Sequence, residues 1–600
     1  MRILTFVNTI RFLKFSQIWN RLTIQVKRKF LIGYITRQIR YQSGKRKDRD
    51  FPKLDLVSKP SSKKISNANL TQLQFNFLNR SYTFQQEVEW NKRGLEKLWL
   101  YNLHYFEYLI PGTYQISPEN YLSSKRIIQH WIDNNPIGYG CGWESYPLSL
   151  RIINWIFFFD AYHTHFRDDP KFKATFLHSL YEQASFLNWF IEYHIQANHL
   201  FENIKSMFFS SVFFQDQKWF KKSIRLLEKQ LKEQILPDGG HYELSPMYHL
   251  IILTDILDII NLIKSIQRIS DPDSPFIIFH GKSQINPKHF EEIVRKMLSW
   301  LEKMLHPDEQ IPLFNDSAFN IAVDYSQIKD YFQKIIDYPY QPAEMSTTCE
   351  LIHSGYVIFR TANQFLVIDG GKLGVSYQPG HAHCDLFSYE YSLHRKRFVV
   401  DGGVGNYLPS SLRLRSRSIY SHNTVVVNKL EQAEIWKAFR MGRRVKPERI
   451  QLVKSEDGQL FSGIYSNKLK QSLAYSHERQ VKFIDGEIFI ILDKIMAAKI
   501  HSIESLIHVH PDCQIDKEDG KIFLKNGATT AIILWDPLSL KLEIRRWFYV
   551  PEFGTEYETS MLVFTPLIDN LDYIYYVITP LDGLQKAQNY IESKYQHLRK

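Results

Sequence analysis

The spacing of apolar residues changes character once along this chain, between Pro342 and Thr348. Before the break, LEKLWLYNLHYFEYL, YPLSLRIINWIFFFDAYH, KATFLHSLYEQASFLNWFIEYHI, WFKKSIRLLEKQLKEQI, LIILTDILDIINLIKSI and FEEIVRKMLSWLEKML repeat apolar residues at helical spacing. After it come short runs such as GYVIFR, QFLVIDGG, RFVVDGG, HNTVVVN, TTAIILWD and YIYYVITP, punctuated by Gly, Asn and Asp turns. A chain of 600 residues is too long for one core. The expected fold is α+β and multidomain. Residues 66–345 are read as paired antiparallel helices curled into an incomplete (α/α) toroid, and residues 346–600 as an antiparallel β-sandwich. Residues 1–65 are read as a basic extension and linker, with the stretch 41–65 charged and Pro- and Ser-containing.

The first residues, MRILTFVNTIRFLKFSQIWNRLTIQVKRKFLIGYI, are amphipathic and basic. Arg and Lys interrupt the apolar residues too often for a spanning helix or for the apolar region of a secretory signal. Two readings follow: a helix packed on the first domain, or a helix lying against an anionic membrane face as a peripheral contact. The formal charge of +12 favours an anionic partner. Zinc-finger, P-loop and RNP-like patterns are lacking, so nucleic acid ranks below an acidic polysaccharide. The aromatic share of 14% suits a protein that stacks on sugar rings, and serves equally as core. Four scattered cysteines define no disulfide framework.

Chemistry concentrates between Tyr377 and Asn428. If HAHCD is a strand, its period of two puts His381, His383 and Asp385 on one face. FVVD then ends a strand on Asp401, and HNTVVVN begins one at His422. Three strand ends each bringing His or Asp to one place supply a His/His/Asp zinc site, with a histidine left over for acid–base work. The bland alternative is that these residues form turns. LRLRSR follows, and Arg417, which leads into SIYSHNT, is the first choice for a sulfate or carboxylate clamp, against a solvated arginine run.

The helical half carries polar clusters of its own. NHLFEN places Asn198 and Glu202 on one helix face and His199 and Asn203 on another. DGGHYELSPMYH brings His241, Tyr242, Glu243, Tyr248 and His249 to a Gly-Gly turn and a Pro-opened helix. GCGWESYPLSLRIINW sets Trp143 where it serves as a sugar platform or as core. In sequence order and spacing, NHLFEN, DGGHYELSPMYH, GHAHCDLFSYEYSL, VVDGG and RSRSIYSHNTVVV resemble the heparinase II/III family of polysaccharide lyases over most of residues 90–580.

That resemblance implies an N-terminal α/α toroid, a C-terminal β-sandwich and an active-site cleft between them. It implies that Asn198 neutralises a uronate carboxylate, that Tyr248 and His381 are the catalytic tyrosine and histidine, and that His383, Asp401 and His422 hold a divalent metal, zinc in some relatives, in a structural role. Tyr242 lies in the same motif as Tyr248, so the choice between the two tyrosines stays open. Glu202 and His199 are expected beside them, with His241, Tyr242, Trp143 and Arg417 on the substrate. The implied activity is β-elimination on a uronate-containing glycan, linked to cell-surface polysaccharide metabolism. The rivals are a non-catalytic glycan-binding or assembly protein and a metal-dependent glycan hydrolase. The resemblance points to the periplasm or cell envelope, while the basic start leaves the cytoplasm open.

Overall fold

A computed structural model describes residues 3–45, 51, 53–61, 66–110, 116–269, 287–336, 339, 341–342, 344–455, 457–567 and 573–594. The expected linker is therefore described only in part. Where it is described, Asp160 accepts from the backbone N–H groups of Leu54, Asp55 and Leu56, and Asn261 accepts from that of Val57. This ties the connection to the helical half.

The helical half opens with an element the sequence reading lacked. Three short antiparallel strands, Ser66–Asn69, Gln74–Phe77 and Arg80–Thr83, form a small sheet. The last two meet in a two-residue turn, Leu78-Asn79, with φ of 54° and 58°. Positive φ at both positions is the I′ hairpin geometry, normally signalled by Asn-Gly, and a leucine in the first position hides it.

Helices then follow over Lys97–Tyr105, Pro118–Asn134, Ser145–Ala161, Pro170–Trp189, Ala197–Phe213, Gln217–Gln234, Pro246–Ile269, Pro287–Met304 and Tyr325–Ile335. Their starts are chemically marked. Ser117 and Asp169 cap helices that have Pro at the first position, and Asp216 accepts from the N–H groups of Lys218 and Trp219. Ala197–Phe213 packs between Ser145–Ala161 and Gln217–Gln234 and is buried along its whole length. The run read as one helix to Ile195 stops at Trp189. Gln196 and Ala197 then both adopt positive φ, 69° and 55°, and the next helix starts. That break sets Asn198 in a first helical turn.

From Thr348 onward the chain is mainly strand. A five-stranded antiparallel sheet runs Thr348–Leu351, Tyr356–Arg360, Gln364–Asp369, Tyr389–Leu393 and Lys396–Val399. Its alternate side chains enter two different cores. Tyr356, Ile358, Phe365 and Val367 join the helical core, whereas Val357, Phe359, Leu366 and Ile368 join the core of the remaining sheets. Burial on both faces explains why GYVIFR and QFLVID read as continuous apolar runs. An eight-stranded sheet between Pro447 and Pro580, a four-stranded sheet containing Val425–Val427 and a two-stranded sheet of Ala433–Trp436 and Arg440–Arg444 make up the other described sheets of this half.

In the eight-stranded sheet, Arg479 lies directly across from Asp493 and bonds both its carboxylate oxygens, at 2.7 and 2.8 Å. The same guanidinium takes the carbonyls of Phe387 and Asn423, which flank the chemically dense stretch. Burial opposes ionisation of Asp493, but Arg479 outweighs it and holds the carboxyl down at about 2, below the ordinary 3.8. A depressed folded-state value stabilises the fold fully above pH ~4, and the contribution is lost as pH falls toward ~2. The shift corresponds to about 2 kcal/mol. The difference in thermal midpoint between the protein and Asp493→Asn should therefore shrink between pH 6 and pH 3; a constant difference would contradict this account.

Candidate active site

HAHCD is not a strand. Its backbone is held by scattered contacts and no ladder: His383 N–H donates to Asn315 Oδ1, Arg417 takes the carbonyl of Ala382, His381 O accepts from Asp316 N–H and Cys384 N–H donates to Arg417 O, while Arg417 and Arg413 take the carbonyls of Pro379 and Gly380 just before it. Pairing resumes only at Tyr389. The loop delivers two imidazoles to one carboxylate. His381 Nδ1 lies 2.7 Å from Asp316 Oδ2 and His383 Nε2 lies 2.8 Å from Asp316 Oδ1. Arg413 grips both oxygens of the same Asp316. Burial alone would raise the Asp316 carboxyl, but the guanidinium and the imidazoles hold it well below the usual carboxylate range. Asp316 comes from the helical half, in the loop LFNDSAFN, and the sequence reading passed over it.

His381 faces a cavity of about 410 Å³ lined by both halves. Its ring lies over Tyr248, with centroids 4.0 Å apart and planes at 33°. Tyr248 Oη is 3.0 Å from Tyr407 Oη, and Tyr407 also lines the cavity. Burial, then the neighbouring Tyr407 and Asp316, hold the Tyr248 proton well above the usual tyrosine range. On its other side His381 Nε2 is 3.8 Å from Glu243. Burial raises the Glu243 carboxyl, which accepts from the backbone N–H of Asn198. Asn198, His199 and Glu202 line the same cavity. His199 Nδ1 is 3.1 Å from Glu192, which draws its pKa up against the cost of burial.

Glu202 leads to a second group the sequence reading lacked. Lys205 Nζ lies among Glu202, Asp255 and Asp258, all buried and all lining the cavity. Burial, then the nearby Glu202, push the Asp255 carboxyl well above its ordinary range.

Other expected residues fall elsewhere. Trp143 is core: its indole N–H donates to Asn135 O and its ring packs on Trp131 and Phe186. Arg417 is fully buried and spends its donors on backbone carbonyls, so it pins the loop and clamps no ligand. His241 is buried against Gln234, and neither it nor Tyr242 lines the cavity.

The metal set also differs in one member. Donor atoms of His383, Asp385 and His422 lie within 4.8 Å of one another. Asp401 sits behind His422, with Oδ2 2.8 Å from Nδ1. His383 Nδ1 and His422 Nε2 are buried without a hydrogen-bond partner. Two orphaned imidazole nitrogens beside a carboxylate fit a divalent cation, and Asp401 then has the place of the acid that orients a ligating histidine. None of the three clustered residues lines the cavity.

Comparison with known proteins agrees with this architecture. The family description "Heparinase II/III N-terminus" matches residues 23–340, and "Heparinase II/III-like, C-terminal" matches residues 349–569. A heparin-sulfate lyase of Bacteroides thetaiotaomicron is 23% identical over 441 residues, 65% of this chain and 58% of that protein. One of Pedobacter heparinus is 24% identical over 393 residues, 61% of this chain and 54% of that protein. The chain thus spans somewhat over half the length of these curated relatives. A crystal structure of heparinase III superposes with a TM-score of 0.68 at 17% identity, covering 92% of this chain and 91% of that one. The two matched regions take in most of the chain, which belongs to the heparinase II/III family.

Proposed function

We propose that this protein is a polysaccharide lyase that cleaves a uronate-containing glycan by β-elimination, its helical half forming an incomplete (α/α) toroid and its sheets a β-sandwich. The observation that carries this reading is the stacking of Tyr248 on His381 from opposite halves of the molecule, beside Asn198 in one cavity. The relatives named heparin-sulfate lyase support the same substrate class.

β-Elimination must remove the proton on C5 of a uronate, which is poorly acidic beside a carboxylate. Asn198 and the first turn of its helix bind that carboxylate and stabilise the charge that develops on it. His381, held through Nδ1 by Asp316, presents Nε2 to the C5 proton. Tyr248 keeps its proton and donates it to O4 as the C4–O4 bond breaks and the C4–C5 double bond forms.

His383, Asp385 and His422 would hold a divalent metal, with zinc the best match to two imidazoles and a carboxylate. Bound there, it would fix the loop that carries His381 and stay behind the cavity wall. Chelation should therefore lower the thermal midpoint while the protein that remains folded keeps its turnover. Loss of turnover at an unchanged midpoint would favour a metal-dependent hydrolase.

The test is ultraviolet absorbance during incubation with a panel of uronate polysaccharides. A lyase leaves a double bond conjugated to the carboxylate, and the signal should rise with one glycan class. New reducing ends without absorbance would identify a hydrolase. Binding with neither would identify a glycan-binding protein.

A further inference from the structure

We propose that the helices of residues 3–45 seat this protein on an anionic phospholipid surface. The inference is independent of the glycan chemistry and rests on three observations about this segment.

The first is charge. Residues 1–45 contain Arg2, Arg11, Lys14, Arg21, Lys27, Arg28, Lys29, Arg37, Arg40 and Lys45, and no Asp or Glu. Of these, Arg11, Arg21, Arg28, Lys29, Arg37, Arg40 and Lys45 are exposed.

The second is orientation. The segment folds as helices Ile3–Ile10, Phe15–Val26 and Ile32–Gly44, with a π turn over Lys27–Leu31. A helix packed on a domain turns its apolar stripe inward. Here the inward residues of Phe15–Val26 reduce to Gln17, which donates to the carbonyls of His194 and Tyr377. Phe15, Trp19, Leu22, Val26 and Phe30 recur at helical spacing on the outside, with Phe15 78% and Phe30 70% exposed. They form an apolar stripe roughly 22 Å long at 1.5 Å per residue. An outward apolar stripe edged by Arg and Lys is the pattern of a helix lying in a lipid interface.

The third is attachment. The segment is fastened to both halves of the molecule. Lys14 pairs with Glu233 and lies over Tyr377, Asn8 Nδ2 donates to Glu434 at 3.1 Å, and the Trp436 indole donates to Thr9. A surface that captures the stripe therefore orients the whole body. No described helix is long and apolar enough to cross a membrane, so the contact is interfacial.

Charge also selects the occupant. A two-fold pair of this face would set the same basic residues against each other with no acid to match them. Phosphate headgroups supply the missing negative charge while acyl chains receive the aromatic side chains.

The test is flotation of the full-length protein with phosphatidylcholine vesicles and with phosphatidylcholine–phosphatidylglycerol vesicles. Binding should be at least about tenfold greater on the anionic vesicles and fall with added salt. The double variant Trp19→Glu/Phe30→Glu should lose at least about tenfold in binding at an unchanged thermal midpoint, since both side chains are exposed. Arg28→Glu/Lys29→Glu should lose the preference for anionic lipid. Absence of flotation, or equal flotation on both vesicles, would overturn the proposal. So would sedimentation showing a dimer that Trp19→Glu/Phe30→Glu dissociates, which would assign the face to a second copy of the chain.

Discussion

Under the proposed β-elimination, Tyr248→Phe is expected to lower kcat by about 10³-fold on the glycan that serves as substrate, with KM changed by less than about threefold. The substitution removes one oxygen and leaves the ring that stacks on His381, so the cavity wall is preserved. What is lost is the proton that the departing O4 needs, together with the partner of Tyr407 Oη. Initial rates of ultraviolet absorbance at saturating and limiting glycan separate the two constants. Tyr242→Phe is the control, because Tyr242 lies outside the cavity lining, and its rates should stay within about threefold of the parent. A Tyr248→Phe enzyme that keeps more than a tenth of the parent kcat would remove Tyr248 from the chemistry.

Lys205→Met should destabilise the fold by about 3–5 kcal/mol, because it leaves Glu202, Asp255 and Asp258 buried with no cation among them. Methionine nearly matches the length of the lysine stem, so the loss is electrostatic and not a cavity effect. For a chain of this size the thermal midpoint should fall by about 2–4 °C. The pH dependence distinguishes this account from simple misfolding. Without the cation, whose charge partly offsets the rise, the folded-state value of the Asp255 carboxyl moves still further above its unfolded value. Protonation then favours the folded state, and that advantage is fully present at low pH and is lost as pH rises. The gap between parent and variant should accordingly narrow from pH 8 to pH 5, and adding Asp255→Asn should recover part of it. A gap that widens toward pH 5 would refute the electrostatic origin.

How much the sequence disclosed depended on whether a feature was periodic. Helix positions followed from apolar spacing, and the strands from continuous apolar runs bounded by Gly and Asp. Features set by partners distant in sequence were not legible. Asp316 is one aspartate in an irregular loop, and nothing near it announces that two imidazoles and a guanidinium converge there. Arg417 and Trp143 carry the same side chains whether they meet a ligand or a carbonyl, and only the folded chain decides between the two. HAHCD misled for a related reason. Alternation of small and polar residues satisfies the strand pattern, yet the N–H of His383 goes to Asn315 and the C=O of Ala382 is taken by Arg417. The Lys205 cluster escaped because Asp255 and Asp258 sit on the next helix but one, where each reads as an ordinary polar position.

The loop Asn315-Asp316 has a consequence for the order in which the protein is built. Asn315 N–H donates to Asp385, and Asp316 fixes both His381 and His383, so the helical half supplies the outer shell of a cluster whose inner members all lie in the sheet half. The sheet half made alone would contain each of those inner members and Asp401 behind His422, and lack the contacts of Asn315 and Asp316 to Asp385 and His383. The complete site therefore requires docking of one half on the other. If the proposed divalent ion binds there, a chain split between residues 336 and 348 should take it up only when both pieces are combined.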